Sequence, residues 1–351
     1  MRFLVTGGAG FIGSNIVEAL LIGKARGLSP KGTVPEQVFV RVLDNFSSGK
    51  RENLSLARGL SPSEAGGTIP EQSDNFELIE GDIRDKSTCN VACRGIDYVL
   101  HQAALRSVPG SLKDPDSYNE VNIQGTLNML QAAANNKVKR FVFASTSAIY
   151  GDTDKFPQKE TDLPLLISPY ALSKLTGEYH CKIFSEFFNL ETVCLRYFNV
   201  FGPRQALDDE YAVVIPKFIN CILNNQQPPI FGTGKQSRDF VYIDNVVEAN
   251  ILAARAPSPL RGEGKGEGNK VFHDIFNVAS GHDTTILDLV KCLNKITGKN
   301  IQPKLLPIRA GDVLKTLASI EKVKTNLSFV PKVNFEEGLK RTVEYFRSQK
   351  K

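Results

Sequence analysis

Tyr170 and Lys174 stand four residues apart in Tyr170-Ala-Leu-Ser-Lys174, a spacing that puts a phenol and an ammonium on one face of a helix. A tyrosine ordinarily loses its proton near pH ~10, and nearby positive charge is what turns it into a base near neutrality. Lys174 supplies such charge. Upstream, the β-branched and aromatic run Arg140–Ala144 is followed by Ser145, Thr146 and Ser147, three small hydroxyls at the C-terminal end of an expected strand, where active-site crevices of parallel sheets open. Thr146 or Ser147 could bridge a substrate alcohol to Tyr170 and complete a proton relay; Ser147 would serve equally as a turn cap. The Tyr-x-x-x-Lys spacing occurs in many helices, so its weight depends on what precedes it in the chain.

What precedes it is Gly7-Gly8-Ala9-Gly10-Phe11-Ile12-Gly13, placed between the apolar run Arg2–Thr6 and a helical stretch Ser14–Leu21. Gly7 permits the tight turn out of a strand, Gly10 lets backbone approach a pyrophosphate, and Gly13 lets helix and strand pack closely. The helix N-terminus then offers free N–H groups to phosphates. In this strand-to-helix context the loop reads as a dinucleotide site. Its ribose partner should be an acid about 20 residues further on, at the end of the second strand. Asp44 ends the run Phe39–Asp44 but lies 31 positions past Gly13. The 11 residues Gly27–Gln37, one copy of an internal repeat, account for the difference. A carboxylate at Asp44 accepts the 2′-hydroxyl of NAD and repels the 2′-phosphate of NADP, so NAD is the expected cofactor; its oxidised nicotinamide would add positive charge near Tyr170. Gly81-Asp82-Ile83-Arg84, after the third strand, sits where an adenine-facing loop belongs.

The elements that must position these groups alternate. Strands are expected at Arg2–Thr6, Phe39–Asp44, Phe76–Glu80, Tyr98–His101, Arg140–Ala144 and Thr192–Tyr197, with helical stretches between them. This is the pattern of βαβ units and a parallel sheet. Past residue 200 the alternation weakens, and Pro216–Asn224, Ile243–Ala254 and Ile286–Thr297 read as separate helices. The expected fold is α/β: a Rossmann-type doubly wound parallel sheet over residues 1–200, and a smaller C-terminal α/β substrate-binding lobe over 201–351, with the chain crossing between them. Ala25-Arg-Gly-Leu-Ser-Pro30 recurs at 57–62 and Gly32-Thr-Val-Pro-Glu-Gln37 recurs, with Ile for Val, at 67–72. These tracts, 25–37 and 57–72, and a third at 256–268, are rich in Gly, Pro or Ser and read as tolerated insertions without catalytic role.

A chain of 351 residues with 41% apolar and 23% charged residues can bury a large core. No run is long enough for a membrane span, and the glycine loop follows Met1 too closely to leave room for a secretory leader, so a cytoplasmic protein is expected. The net charge of +5 is dispersed, which argues against nucleic acid and suits a small anionic substrate. Cys89, Cys93, Cys181, Cys194, Cys221 and Cys292 show no metal-ligand or disulfide spacing, so no metal is expected and Cys89 and Cys93 read as packing residues.

Taken together, the glycine loop, Asp44-Asn-Phe-Ser47, Gly81–Arg84, His101-Gln-Ala-Ala-Leu105, Ser107-Val-Pro109, Tyr170–Lys174, Leu195-Arg-Tyr-Phe-Asn-Val-Phe-Gly202, Val214-Ile-Pro-Lys217, Ser237-Arg-Asp-Phe240 and Arg309-Ala-Gly-Asp-Val313 resemble the extended short-chain dehydrogenases/reductases of the UDP-sugar 4-epimerase group, and within it the UDP-N-acetylglucosamine 4-epimerases. The resemblance covers nearly the whole chain outside the three tracts. It implies Thr146 as the catalytic hydroxyl beside Tyr170 and Lys174. NAD would be held by Gly7, Gly10, Phe11, Ile12, Gly13, Asp44, Asn45, Ser47, Gly49, Asp82, Ile83, Gln102, Ala103, Ala104, Ser145 and Tyr197, as well as Tyr170 and Lys174. On the substrate side it implies Ser107 and Ser147 near the sugar, Asn199, Arg238 and Arg309 on a diphosphate, Asp312 on the uridine ribose, and Val214, Lys217, Ile230 and Phe231 around the nucleotide.

Thr316 would stand at a gate that is bulky in enzymes confined to UDP-glucose and small in those admitting an N-acetyl group. The resemblance thus implies C4 epimerisation of UDP-GlcNAc/UDP-GalNAc by a homodimer paired through the helix bearing Tyr170 and the one before it. UDP-glucose and UDP-uronates are the alternative substrates. A 4,6-dehydratase would carry an Asp-Glu pair where this chain has Ser147-Ala148, and a decarboxylase an acid near the catalytic hydroxyl. A non-catalytic NAD-binding protein is the contrasting class. Two positions depart from the group: Arg106 replaces a small residue, and Ser319 an Asp.

Overall fold

The computed structural model describes residues 1–22, 38–55, 72–206, 214–257, 271–308 and 313–349. The chain opens with β1 (Arg2–Thr6), α1 (Phe11–Leu21), β2 (Phe39–Asp44), β3 (Gln72–Ser73), β4 (Phe76–Glu80), α2 (Lys86–Cys93) and β5 (Tyr98–His101). Two short helices, α3 (Val108–Lys113) and α4 (Pro115–Tyr118), and a π-helical turn over Asn119–Gly125 lead into α5 (Thr126–Asn135), β6 (Arg140–Thr146), α6 (Pro169–Phe187) and β7 (Glu191–Tyr197). Then come β8 (Asn199–Phe201), α7 (Val214–Leu223), β9 (Pro229–Phe231), β10 (Ser237–Tyr242), α8 (Ile243–Arg255) and β11 (His273–Val278). The described elements end with β12 (Asp283–Thr285), α9 (Ile286–Thr297), β13 (Lys304–Leu306), α10 (Glu321–Leu327) and α11 (Phe335–Ser348).

The large sheet has the order β11-β7-β6-β5-β1-β2-β4-β3, parallel except for the two-residue edge strand β3. Its central strands are apolar at nearly every position because both faces are covered by helices. Along β1, Phe3 and Val5 enter a core shared with Ile16, Val17 and Leu20 of α1 and Ala249 and Ala253 of α8. Leu4 between them enters a second core with Cys89, Met129 and Cys181 of α2, α5 and α6. This alternation is the doubly wound arrangement expected from the sequence. The chain leaves β1 toward β2 and β4 on one side and toward β5, β6 and β7 on the other. A crevice therefore opens over the C-terminal ends of β1, β2 and β5.

Tyr197 closes β7 and Asn199 opens β8, so the chain steps out of the large sheet at the level of that crevice. Beyond it, a three-stranded sheet β12-β10-β8 and a parallel pair β13-β9 carry α7, α9 and α11. The later half also returns to the large sheet: β11 pairs with β7 from His273↔Thr192 to Val278↔Tyr197. Arg309 and Asp312 lie outside the described residues, as do 25–37, 57–71 and 258–268 of the three repeat-like tracts.

Candidate active site

The glycines that open the first crevice have different neighbours. Gly7 has φ +65°, and a side chain there would meet the Ala103 backbone at 2.8 Å, so this residue both turns the chain and lets the segment after β5 pass. A Cβ at Gly13 would lie 2.1 Å from the Gly7 carbonyl oxygen. Gly10 is different, since the only atom near its Cβ position is the Gly7 oxygen at 3.2 Å. Its other side is open to the crevice, at the N-cap of α1. A bare N-terminal turn facing an open cradle fits a pyrophosphate.

That cradle is one end of a cavity of about 570 Å³ that runs over the C-terminal ends of the central strands. Gly7, Gly10, Phe11, Ile12 and Gly13 line it from the loop, and Asp44, Asn45, Ser47 and Gly49 from the end of β2. Asp82 and Ile83 follow β4, Gln102, Ala103 and Ala104 follow β5, and Ser145, Tyr170, Lys174 and Tyr197 close the far end. Asp44 is buried. Its Oδ2 accepts the Ala9 N–H and its Oδ1 the Phe46 N–H, both at 2.8 Å. Burial raises its pKa and these two bonds pull it back. A carboxylate offers roughly four lone-pair sites, so Asp44 keeps capacity for a ribose hydroxyl. Asp82 is held low, at about 2, chiefly by its hydrogen bonds from Arg84, and it also accepts from the Asn45 amide at 2.8 Å. Gln102 Oε1 and Tyr197 Oη are 3.2 Å apart, and both side chains reach Asn250 of α8, which fixes their place in the wall. The residues present thus fit a dinucleotide.

At the far end three residues from two elements meet. Strand β6 runs two residues beyond the expected end, to Thr146, whose hydroxyl accepts the Ala148 N–H at 3.1 Å and lies close enough to Tyr170 to act on its phenol. Ser168 caps α6 through the Ala171 N–H, which places Tyr170 in the first turn and Lys174 one turn on. Lys174 is buried, donates from Nζ to the Ala144 carbonyl at 2.9 Å, and is brought down to about 7 by burial. Burial raises the Tyr170 phenol; the Thr146 hydroxyl lowers it, Tyr118, set edge-on to it, raises it further, and the Arg106 guanidinium lowers it. Arg106 thus puts a positive charge near Tyr170, while Lys174, one turn along the same helix, is bonded to the Ala144 carbonyl of β6.

Beside this cavity lies a second, of about 300 Å³, lined by Asn199, Val214, Lys217, Ile230, Phe231 and Arg238 among others. Six residues drawn from four separate elements thus surround one space. Thr316 is buried behind it: its hydroxyl accepts the Asp239 N–H and donates to Asn199 Oδ1, each at 3.1 Å. That bond turns the Asn199 carbonyl oxygen away and leaves its NH₂ as a donor. Arg238 Nη1 donates to the Ser237 carbonyl at 2.8 Å. Ser107 caps α3 through the Gly110 N–H, and its carbonyl accepts the Tyr118 hydroxyl at 2.7 Å. Ser147 begins a 3₁₀ turn over Ser147–Tyr150 and is half-buried.

Residues that the sequence did not single out also shape the site. Gln205 lines both cavities; its Nε2 donates to the Val200 carbonyl, and its buried Oε1 has no partner among the described residues. Asn122, on the π-helical turn, clamps the backbone of Leu105 through both its amide atoms and reaches Ser173 of α6 at 3.0 Å. Neither has a motif around it. The π-helical turn, a feature frequent at functional sites, is visible only in three dimensions.

A family model described as NAD dependent epimerase/dehydratase matches residues 3–278. A putative UDP-glucose 4-epimerase of Methanocaldococcus jannaschii is 32% identical over 98% of both chains. Among solved structures, a UDP-N-acetylglucosamine 4-epimerase of Methanobrevibacter ruminantium in complex with UDP-N-acetylmuramic acid is 39% identical, covers 99% of this chain and 98% of its own, and superposes with a TM-score of 0.83. A UDP-glucose 4-epimerase of Thermus thermophilus in complex with NAD is 35% identical over 99% of both chains, with a TM-score of 0.79.

Proposed function

Because the chain belongs to the NAD dependent epimerase/dehydratase family and to its UDP-sugar 4-epimerases, with NAD as cofactor, we propose that it interconverts UDP-GlcNAc and UDP-GalNAc at C4 through a transient 4-keto sugar. The observation that carries this reading is the pair of cavities that share Gln205, with Tyr170 and Lys174 lining one and Asn199, Lys217 and Arg238 the other. The 39% identity to a UDP-N-acetylglucosamine 4-epimerase supports this choice of sugar, while Thr316, small but buried behind the second cavity, lines neither of the two. Ser147-Ala148, following Thr146, supplies neither acid that a 4,6-dehydration needs.

NAD, when bound, can take up the C4 hydride and give it back. The protein's part is proton transfer and grip. Tyr170 takes the proton of the C4 hydroxyl, with Thr146 bonded to both oxygens as relay. Burial raises the Tyr170 phenol, and the Thr146 hydroxyl and the Arg106 charge work against it, toward the phenolate needed for this step. Asn199 and Arg238 hold the diphosphate by charge-assisted hydrogen bonds, and Val214, Lys217, Ile230 and Phe231 enclose the nucleotide. Arg309 assists at the diphosphate and Asp312 holds the ribose. The nucleotide stays fixed while the hexose turns its other face toward the hydride, and Tyr170 returns the proton. Hydride and proton both come back, so the reaction is redox-neutral overall.

One observation favours a second substrate class: Arg106 lines the cavity close enough to Tyr170 for its charge to act there, which suits an acidic sugar such as a UDP-uronate. Six free cysteines fit the reducing cytoplasm. The outer face of α6 carries Leu172, Tyr179, Ile183 and Phe187, all exposed, which supports pairing of two copies along that helix. Incubation with UDP-GlcNAc, UDP-glucose, UDP-glucuronate and UDP-GalNAc-uronate, without added reductant, tests the reading. UDP-GalNAc should form fastest, and Tyr170→Phe should cut turnover by about 10²–10⁴ while leaving bound NAD in place. A protein that leaves every sugar unchanged would be a non-catalytic NAD binder.

A further inference from the structure

Below the catalytic end of the first cavity lies a buried polar network that the proposed proton transfer does not use. Glu178 of α6 and Arg196 of β7 form a two-pronged ion pair, Nε to Oε1 at 2.9 Å and Nη2 to Oε2 at 2.8 Å, with side chains only 2% and 4% exposed. Ser145 donates to Glu178 Oε1 at 2.5 Å. Arg196 Nη1 donates to the Tyr150 hydroxyl at 3.0 Å, which donates to Asn277 Oδ1 of β11 at 2.6 Å. The Asn277 NH₂ then holds the carbonyls of Gln158 and Ser319 at 3.0 and 3.3 Å. Ser145 directly precedes Thr146, and Glu178 lies one helical turn after Lys174. A buried pair of this kind is seldom retained for stability alone, because apolar residues of similar size would do as well.

We propose that the Glu178–Arg196 pair is a positioning device: through Ser145 it fixes the strand end carrying Thr146 against the helix carrying Tyr170 and Lys174. The inference rests on the catalytic roles proposed above for those three residues. Displacing the strand end would carry the Thr146 hydroxyl away from the Tyr170 phenol, and misplacement by about 1 Å can cost roughly 100-fold in rate. The other groups facing Tyr170 are Tyr118 at the end of α4, Arg106 after β5 and Lys174 on its own helix, none of which the network touches.

The test compares the double variant Glu178→Met/Arg196→Met, which leaves no orphaned charge, with Glu178→Gln and Tyr170→Phe, each purified with its bound NAD. The double variant should fold, melt close to the parent and keep its NAD and its KM. Its kcat should fall about 100-fold, and the acid limb of its pH profile should move to higher pH, because the Thr146 hydroxyl that lowers the Tyr170 phenol is drawn away. Glu178→Gln should show the same split in kcat and pH profile if the double variant folds poorly. Parental kcat and pH profile in a folded variant would overturn the inference, as would loss of kcat in step with melting temperature at an unchanged pH profile. Activity surviving in Tyr170→Phe would instead strike the catalytic reading beneath it.

Discussion

Lys174 shows how far burial alone can move a residue whose role is otherwise assigned by motif. Its pKa falls from 10.5 to about 7, with desolvation as the main cause. The unfolded chain therefore binds more protons than the folded one between those values, and folding stability contributed by this residue rises with pH across that window and is lost as pH falls through the folded pKa. In protein stripped of cofactor, chemical denaturation of Lys174→Met against the parent should show this: the parent's stability gains on the variant from pH 7 to pH 10. Parallel pH dependences would contradict the shift. At this scale the sequence points to groups whose own chemistry is distinctive, such as Tyr170, Thr146 and Asp44, and the structure sets Tyr170 and Asp44 in the wall of one cavity. The sequence is a poor guide to Arg106, Asn122 and Gln205, which act by where the fold carries them. Arg106 reads as a departure from a pattern; its charge on Tyr170 exists only because the loop after β5 passes the first turn of α6.

Among the elements, the strand–loop–helix unit at the N-terminus separates two reasons for glycine. At Gly13 a methyl group would overlap the Gly7 carbonyl oxygen, 2.1 Å away. Gly13→Ala should therefore lower the melting temperature, at a cost of about 1–3 kcal/mol. At Gly10 the Gly7 oxygen lies 3.2 Å from the Cβ position, a tight contact but not an overlap, and the residue lines the cavity. Gly10→Ala should cost less melting temperature than Gly13→Ala without cofactor and lose most NAD affinity. Titration calorimetry beside thermal melts checks the pair; equal losses of stability in both would contradict the assignment. Strand positions were legible because short, mostly apolar runs lie between helical stretches, and β1, β2, β4 and β5 match their expected bounds. The ends of β6 and β7 were not, since Ser145, Thr146 and Glu191 are polar and their pairing with the neighbouring strand decides them. β3 is too short to leave any periodicity.

For the molecule as a whole, two surfaces matter, the two cavities that share Gln205 and the outer face of α6. On that face Phe187 is 75% and Tyr179 58% exposed, and Leu112 of α3 nearby is 64% exposed. Charged residues there, in Tyr179→Glu/Phe187→Glu, should convert a dimer to a monomer in sedimentation experiments; an unchanged sedimentation coefficient would place the subunit contact elsewhere. Among the described residues no helix is long and apolar enough to cross a membrane.

The two cavities carry the central claim, that the hydride leaving C4 returns to the C4 of the same sugar. UDP-GlcNAc deuterated at C4, converted in ordinary water without added reductant, tests it by mass spectrometry and NMR of the product. The account predicts UDP-GalNAc that retains its deuterium at C4; product in which that deuterium has been replaced by solvent hydrogen would contradict it.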